Sequence, residues 1–160
     1  MLTRQEVRGH IRFPKTVRSV VFKPSSKSRG MPKFLQLKSR RVEHTDLMDA
    51  GGDYRVLFLW RDGPYFEKRK FSAWLFLSRG EDLLPVARMD YHPSHKGFHL
   101  HLNCEDDRDL TNRALPGSKE LSFGRNRRLD PKLEIDRINL IEQALKCFRI
   151  SLPSEQGGLF

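Results

Sequence analysis

The segment from Leu84 to Asn103, LPVARMDYHPSHKGFHLHLN, constrains the fold more than any other part of the chain. Two runs of alternating polar and apolar side chains flank the sequence Ser-His-Lys-Gly at positions 94–97, where Gly97 can supply the positive φ of a hairpin turn. Strand side chains alternate between the two faces of a sheet, which places the following apolar residues on one face: Ala87, Met89, Tyr91, Phe98, Leu100 and Leu102. The pattern predicts an antiparallel hairpin that covers a core with this face.

The opposite face of the hairpin carries only polar side chains: Arg88, Asp90, His92, His99, His101 and Asn103. With the turn at 94–97, His92 is expected beside His99, and Tyr91 beside Leu100. A slip of one residue would mix the polar and apolar sets, so the pattern also favours this register.

Two further segments predict central strands. Tyr54–Trp60 and Lys70–Ser78 are rich in aromatic and aliphatic side chains, and each is followed by a turn sequence. Val17–Phe22 and Phe34–Leu37 are expected to form shorter strands, and 42–53 a polar connection. Together with the hairpin, these segments predict a mostly antiparallel sheet of about five strands.

The C-terminal region predicts one helix over residues 131–150. Asp130 is the expected N-cap, and Pro131 suits the first helical position. Apolar residues recur at helical spacing: Leu133, Ile135, Ile138, Leu140, Ile141, Ala144, Leu145 and Phe148. A helix packed on one face of an antiparallel sheet gives an α+β fold, and a length of 160 residues fits a single domain over 1–160.

The remaining bulk properties indicate a cytoplasmic protein without a membrane partner. No apolar run approaches the roughly 20 residues of a transmembrane helix, and the N-terminus lacks the apolar core of a signal peptide. Cys104 and Cys147 are far apart and form no CxxC motif, so we expect thiols rather than a disulfide.

The positive charge is concentrated in the first 41 residues. The net charge is +10, and residues 1–41 contain twelve basic side chains against one acidic side chain, Glu6. This asymmetry favours a partly flexible segment that binds a polyanion, most simply nucleic acid, although solubility or a disordered arm would also explain it. The candidate phosphate-binding residues are Arg4, Arg8, Arg12, Lys15, Arg18, Lys38, Arg40 and Arg41, together with Arg125, Arg127 and Arg128 before the helix.

The polar face of the hairpin has three interpretations. It could be the solvated face of an antiparallel sheet. It could instead cleave a phosphodiester without a metal, with one imidazole removing a proton from a ribose 2′-hydroxyl and a second protonating the leaving 5′-oxygen. In that case the candidate catalytic residues are His92, His99, His101, Asp90 and Arg88. Asp90 would orient His101, and Arg88 would neutralise phosphate charge.

The third interpretation is a metal site. His99 and His101 share a face at the His-x-His spacing, and His92 could provide another nitrogen, which suits zinc. We expect no cofactor, with zinc on these three histidines as the alternative.

The run Arg88-Met89-Asp90-Tyr91-His92-Pro93-Ser94-His95, followed by Phe98-His99-Leu100-His101, resembles the histidine-rich segment of TumE-type toxins of bacterial toxin–antitoxin systems. The resemblance implies a cytosolic toxin that acts on RNA and is held in check by an antitoxin protein, and it favours RNA over DNA as the nucleic-acid partner. The expected function is therefore a small nucleic-acid-acting protein, a metal-independent ribonuclease of a toxin–antitoxin or defence locus. A non-catalytic nucleic-acid-binding or protein-interaction module and a zinc-binding protein are the alternatives.

Overall fold

A computed structural model describes residues 2–28, 30–93, 97–104, 113–114 and 128–153. Arg125, Arg127, His95 and the acidic run 105–109 lie outside these ranges. Two helices are present in the described chain, α1 (Arg4–Arg12) and α2 (Glu134–Cys147), and a short parallel pair joins β1 (Lys15–Thr16) to β10 (Ile150–Ser151). None of the helices in the described ranges has the length and apolar character needed to cross a membrane.

The α+β prediction is confirmed, with a larger sheet than expected. The strands of the sheet are β2 (Lys23–Pro24), β3 (Val42–His44), β4 (Met48–Asp49), β5 (Tyr54–Arg61), β6 (Lys70–Arg79), β7 (Asp82–His92), β8 (Gly97–Leu102) and β9 (Arg113–Ala114). Their order is β2-β3-β5-β6-β7-β8-β9, with β4 also paired to β5, and every pairing is antiparallel. The long strands β5 to β8 form its centre, where the sequence predicted them.

The hairpin has the predicted faces but a different register. Tyr91 pairs with Phe98, and Asp90 pairs with His99, so the register is shifted by two residues from the expected pairing of Tyr91 with Leu100. Because side chains alternate with a period of two, a shift of two residues leaves every side chain on its predicted face. Gly97 has the expected positive φ, at 72°.

Two short strand predictions and one predicted connection were wrong. Val17–Phe22 is irregular, because Val17 and Val20 are both buried at a spacing of three that a strand could not place on one face. Phe34–Leu37 contains a 3₁₀ turn at Lys33–Leu35, followed by Gln36 in the left-handed region at φ 53°. The connection 42–53 contains β3 and β4, which use its few apolar residues to extend the sheet.

The main core lies between one face of the sheet and both helices. The apolar face of the hairpin is buried there as predicted, with Met89, Tyr91 and Leu100 each at most 1% exposed. Val7 and Ile11 of α1 join the same core, as do the buried residues of α2. The helix α1 of the basic N-terminal segment is therefore part of the main core.

The helix α2 begins three residues later than predicted. Asp130 does not cap it, because its carboxylate instead accepts hydrogen bonds from Arg69 at 2.6 Å and from the backbone of Lys132 at 2.9 Å. Leu133 and Ile135 consequently fall outside the apolar stripe and are 52% and 76% exposed. The buried part of the stripe belongs to the main core: Leu140, Ile141, Ala144, Leu145 and Phe148.

A second, smaller core covers part of the other face. Leu35 and Leu37 from the segment before β3 pack there against Leu57, Trp74 and Phe76 of the central strands. The polar residues of the hairpin lie on this same face. The fold therefore positions the histidines beside a small apolar core.

Candidate functional site

Asp90 lies at the centre of the polar cluster. It is on β7, where its neighbours across the sheet are Ser72 on β6 and His99 on β8. Its side chain is only 1% exposed. The Ser72 hydroxyl donates a hydrogen bond to Oδ1 at 2.6 Å, and Arg88 Nε donates one to Oδ2 at 3.0 Å. A buried carboxylate with both oxygens satisfied is held in one orientation.

The surroundings of Asp90 keep it ionised. Burial alone would raise the pKa of this carboxyl, but the hydrogen bond from His101, the positive charges of Lys70 and Arg88, and the Ser72 hydroxyl hold it well below its usual range. Lys70 Nζ lies 3.8 Å from Oδ2. Burial in turn lowers the pKa of Lys70, although the Asp90 charge opposes this effect. One buried anion therefore lies between two cations.

Two of the three predicted histidines lie beside this carboxylate, and the third, His92, stacks on one of them. His101 Nε2 lies 3.4 Å from Asp90 Oδ2, and His99 Nε2 lies 3.8 Å from the same oxygen. The rings of His92 and His99 are stacked, with centroids 5.3 Å apart and planes 6° apart. The rings of His99 and His101 are 5.0 Å apart in an edge-to-face arrangement. All three imidazoles thus lie on one face of the sheet, with neighbouring rings 5.0–5.3 Å apart.

The cluster is not an ordinary solvated sheet surface. The His101 side chain is 8% exposed and that of His99 is 13% exposed, whereas a solvated face would leave such side chains open to water. Polar side chains that are buried in a mutually bonded group are costly to assemble, and they occur mostly where structure or function requires them. This burial argues against the solvated-face interpretation.

Arg88 links the cluster to the second apolar core. Its guanidinium carbon lies 5.1 Å from the ring centroid of Trp74, in addition to its bond with Asp90. Its side chain is 22% exposed. The guanidinium is therefore fixed by two contacts at the edge of the histidine group.

Asp90, His99 and His101 also form a group that could hold a metal ion. One ligand atom from each lies within 4.8 Å of the others. The set differs from the expected one, in which His92 was the third ligand. Two imidazoles and a carboxylate are suitable donors for a transition metal. However, Asp90 Oδ2 already accepts from Arg88 and lies near Lys70, and these cations oppose a further positive charge.

The predicted phosphate-binding residues fall into separate groups. Arg4, Arg8 and Arg12 are on α1, in the layer of the main core, whereas Lys38, Arg40 and Arg41 precede β3 on the side of the histidines. Arg18 and Arg128 are exposed elsewhere. They do not form one continuous N-terminal surface.

Lys15 is inside the protein. It is 2% exposed, and its ammonium donates to the carbonyl oxygens of Ile11, Phe13 and Phe148 at 2.7–3.1 Å. It also lies 4.9 Å from the Tyr54 ring centroid. Its role is to join the end of α1 to the residues that follow α2, and phosphate cannot reach it there.

Sequence reasoning missed two members of the cluster, Lys70 and Ser72. Both are polar residues at the start of a strand whose centre, residues 73–77, is apolar, and they share the parity of Trp74. Their parity puts Lys70 and Ser72 on the same face of β6 as Trp74, but only the pairing of β6 with β7 brings them to Asp90. The strand order was the missing information.

Comparison with known proteins found no match to a family model, a curated protein or a solved structure. The resemblance to TumE-type toxins therefore stays a prediction. The assignment of function rests on the geometry of the site.

Proposed function

We propose that this protein cleaves RNA without a metal ion, using the histidine cluster for general acid–base catalysis. The observation that carries the proposal is a group of three imidazoles, of which His99 and His101 lie beside a buried, ionised Asp90 and His92 stacks on His99. Arg88 and Lys70 flank the same carboxylate. The cations Arg88 and Lys70 outnumber the one carboxylate, so the site favours an anion such as a phosphodiester.

The reaction requires no other reagent if the substrate is RNA. One imidazole accepts the proton of the ribose 2′-hydroxyl, and the 2′-oxygen attacks the phosphorus. The bond between phosphorus and the 5′-oxygen breaks, and a second imidazole donates its proton to that oxygen. A 2′,3′-cyclic phosphate and a free 5′-hydroxyl result. DNA lacks the 2′-hydroxyl and cannot follow this route.

His92 and His99 are the two histidines best placed to touch substrate. Both are partly exposed, whereas His101 and Asp90 are buried. Repulsion between two cationic rings stacked 5.3 Å apart disfavours protonation of both, and the proposed mechanism uses the state in which one ring is protonated and the other is neutral. That state supplies one acid and one base. His99 is the proposed base, because Asp90 can stabilise the cation that it becomes.

His101 and Arg88 have supporting roles in this mechanism. His101 is a positioning residue, since its contact with Asp90 fixes the carboxylate beneath His99. Arg88 is the proposed source of charge neutralisation at the phosphate, because it is held at the edge of the cluster and is partly exposed. An antitoxin partner would follow from the resemblance alone.

The direct test is single-turnover cleavage of a labelled RNA in excess chelator. His92→Ala and His99→Ala should each lose on the order of 10²–10⁴-fold in rate. His101→Ala should shift the pH–rate profile, and His101→Asn, which retains a donor for Asp90, should restore much of the parent rate. His10→Gln is the matched control, because His10 bonds to Tyr54 on α1's side of the protein. Parent-like rates in both His92→Ala and His99→Ala would refute the mechanism.

A metal site is the second candidate, favoured by the close grouping of Asp90, His99 and His101. Its test is elemental analysis of protein purified without chelator, beside the His99→Ala variant. Near-stoichiometric zinc or another transition metal that disappears in the variant would favour this candidate. Chelator-resistant cleavage would favour the acid–base mechanism.

A further inference from the structure

A basic groove runs along the segment between β2 and β3. One concavity of about 600 Å³ and a second of about 420 Å³ adjoin each other, since Ser28, Lys38 and Ser39 line both. Every charged side chain that the described residues contribute to the lining is a cation: Lys33 and Arg61 in the first, Arg40 in the second, and Lys38 in both. Lysine, arginine and serine side chains are common donors to phosphate oxygens.

An exposed aromatic ring lies beside this groove. Phe34 follows Lys33 and is 49% exposed, although one edge of it contacts the second core. Its centroid lies 5.6 Å from that of Trp74. A half-exposed ring held by a buried ring can stack a nucleobase at little entropic cost.

The contacts of Trp74 connect Phe34 to the histidines. Trp74 carries Arg88 on its ring, and Arg88 bonds to Asp90. On the other side of the groove, Arg61 donates to the carbonyl of Gln36 and pairs with Lys70 across β5 and β6. Lys70 in turn lies 3.8 Å from Asp90. The groove and the cluster are therefore two parts of one continuous face.

We propose that this groove binds single-stranded RNA, with backbone phosphates on Lys38, Arg40 and Arg61 and one base stacked on Phe34, so that the strand leads into the histidine cluster. This inference rests on the proposed function, which supplies the reason for the strand to lead toward the histidine cluster. A single strand is favoured over a duplex because a base must be unstacked to meet Phe34.

Binding can be measured apart from cleavage with a fluorescent 2′-O-methyl RNA strand, which has no 2′-hydroxyl to attack. Affinity is followed against salt by anisotropy. Each lost phosphate contact lowers the log–log slope by about 0.7 for a single strand. The double variant Lys38→Ala/Arg40→Ala should thus lower the slope by about 1.4. The matched control is Arg79→Ala/Lys146→Ala, which removes two exposed cations at the end of β6 and on α2.

Phe34 is tested by substitutions that preserve its packing. Phe34→Leu should weaken binding by at least about fivefold, the low end of the range for a base stacked on an aromatic ring, and Phe34→Tyr should bind like the parent. Thermal melts of each variant show whether the fold is retained.

Several outcomes would overturn the groove. One is an unchanged salt dependence of affinity in Lys38→Ala/Arg40→Ala. Another is an equal loss of affinity in Phe34→Leu and Phe34→Tyr. A third is tighter binding of a matched RNA duplex than of the single strand. Failure of the proposed function gives a different result, in which the 2′-O-methyl strand binds as expected but ordinary RNA is not cleaved.

Discussion

Asp90 Oδ2 lies 3.4 Å from His101 Nε2, although the two residues are diagonal neighbours across β7 and β8 and not direct partners. The direct partner of His101 is Arg88, and that of Asp90 is His99. Asp90 Oδ2 is thus close to the three other side chains of these two pairs: that of its own partner, His99, and those of the next pair, Arg88 and His101. This diagonal contact is what makes the polar residues of the hairpin one group.

Asp90→Asn should destabilise the fold at neutral pH. The substitution leaves Arg88 and Lys70 partly buried without their anion, and breaking a buried ion pair costs about 3 kcal/mol. The measurement is the free energy of unfolding in urea. Ser72→Ala is the comparison, since it removes one hydrogen bond and no charge, and it should cost about 1 kcal/mol.

The pH dependence of this difference has a definite sign. The folded pKa of Asp90 is depressed, so its contribution is fully present above the ordinary carboxyl pKa and is lost as the pH falls toward the folded value. The difference in the free energy of unfolding between the parent and Asp90→Asn should therefore be constant at neutral pH and should become smaller below about pH 4. A gap that widens in acid would contradict the ionised carboxylate.

Lys15→Met should change how stability depends on alkaline pH. Burial lowers the pKa of Lys15 from 10.5 to about 8. Between those values the unfolded chain binds the proton more tightly than the folded protein, so raising the pH stabilises the parent relative to the variant. The difference in the free energy of unfolding between the parent and Lys15→Met should change with pH by up to about 1.4 kcal/mol per pH unit. An unchanged difference from pH 8 to 10 would show that burial does not lower the pKa of Lys15.

Thr3→Ala should weaken the attachment of α1. The Thr3 hydroxyl accepts from the backbone of Glu6 at 3.1 Å, and the Glu6 carboxylate accepts from the backbone of Thr3 at 2.7 Å. Loss of an N-cap of this kind costs about 1 kcal/mol. The midpoint of thermal unfolding should fall accordingly, whereas Thr16→Ala, at an exposed position without such a cap, should change it little.

Part of this fold could be predicted from the sequence because the signals are local. The two faces of the hairpin follow from alternation alone, and the central strands from their composition. The helix α1 also has a local signal, the Thr3–Glu6 capping box before Val7 and Ile11. It was not predicted, because the segment was interpreted by its positive charge. The two-residue register shift could not be detected, because both registers bury the same side chains.

The candidate site could be predicted from the sequence only in part, for a different reason. The three histidines, Asp90 and Arg88 lie within 14 consecutive positions, so one hairpin brings them together. Ser72 and Lys70 come from another strand, and their approach to Asp90 depends on the order of strands in the sheet. The burial of Lys15 likewise depends on the packing of α1 near the end of α2, which no short sequence pattern specifies.

The most direct measurement of the central claim uses a DNA strand that contains one ribonucleotide, incubated with the parent protein in excess chelator. Attack by the 2′-oxygen predicts cleavage at that nucleotide only, with a 2′,3′-cyclic phosphate on one fragment and a 5′-hydroxyl on the other, both identified by mass. Methylation of that 2′-oxygen should abolish the reaction. Cleavage at deoxyribonucleotides, or cleavage that appears only when a divalent metal is supplied, would contradict a metal-independent histidine mechanism, as would an intact ribonucleotide strand.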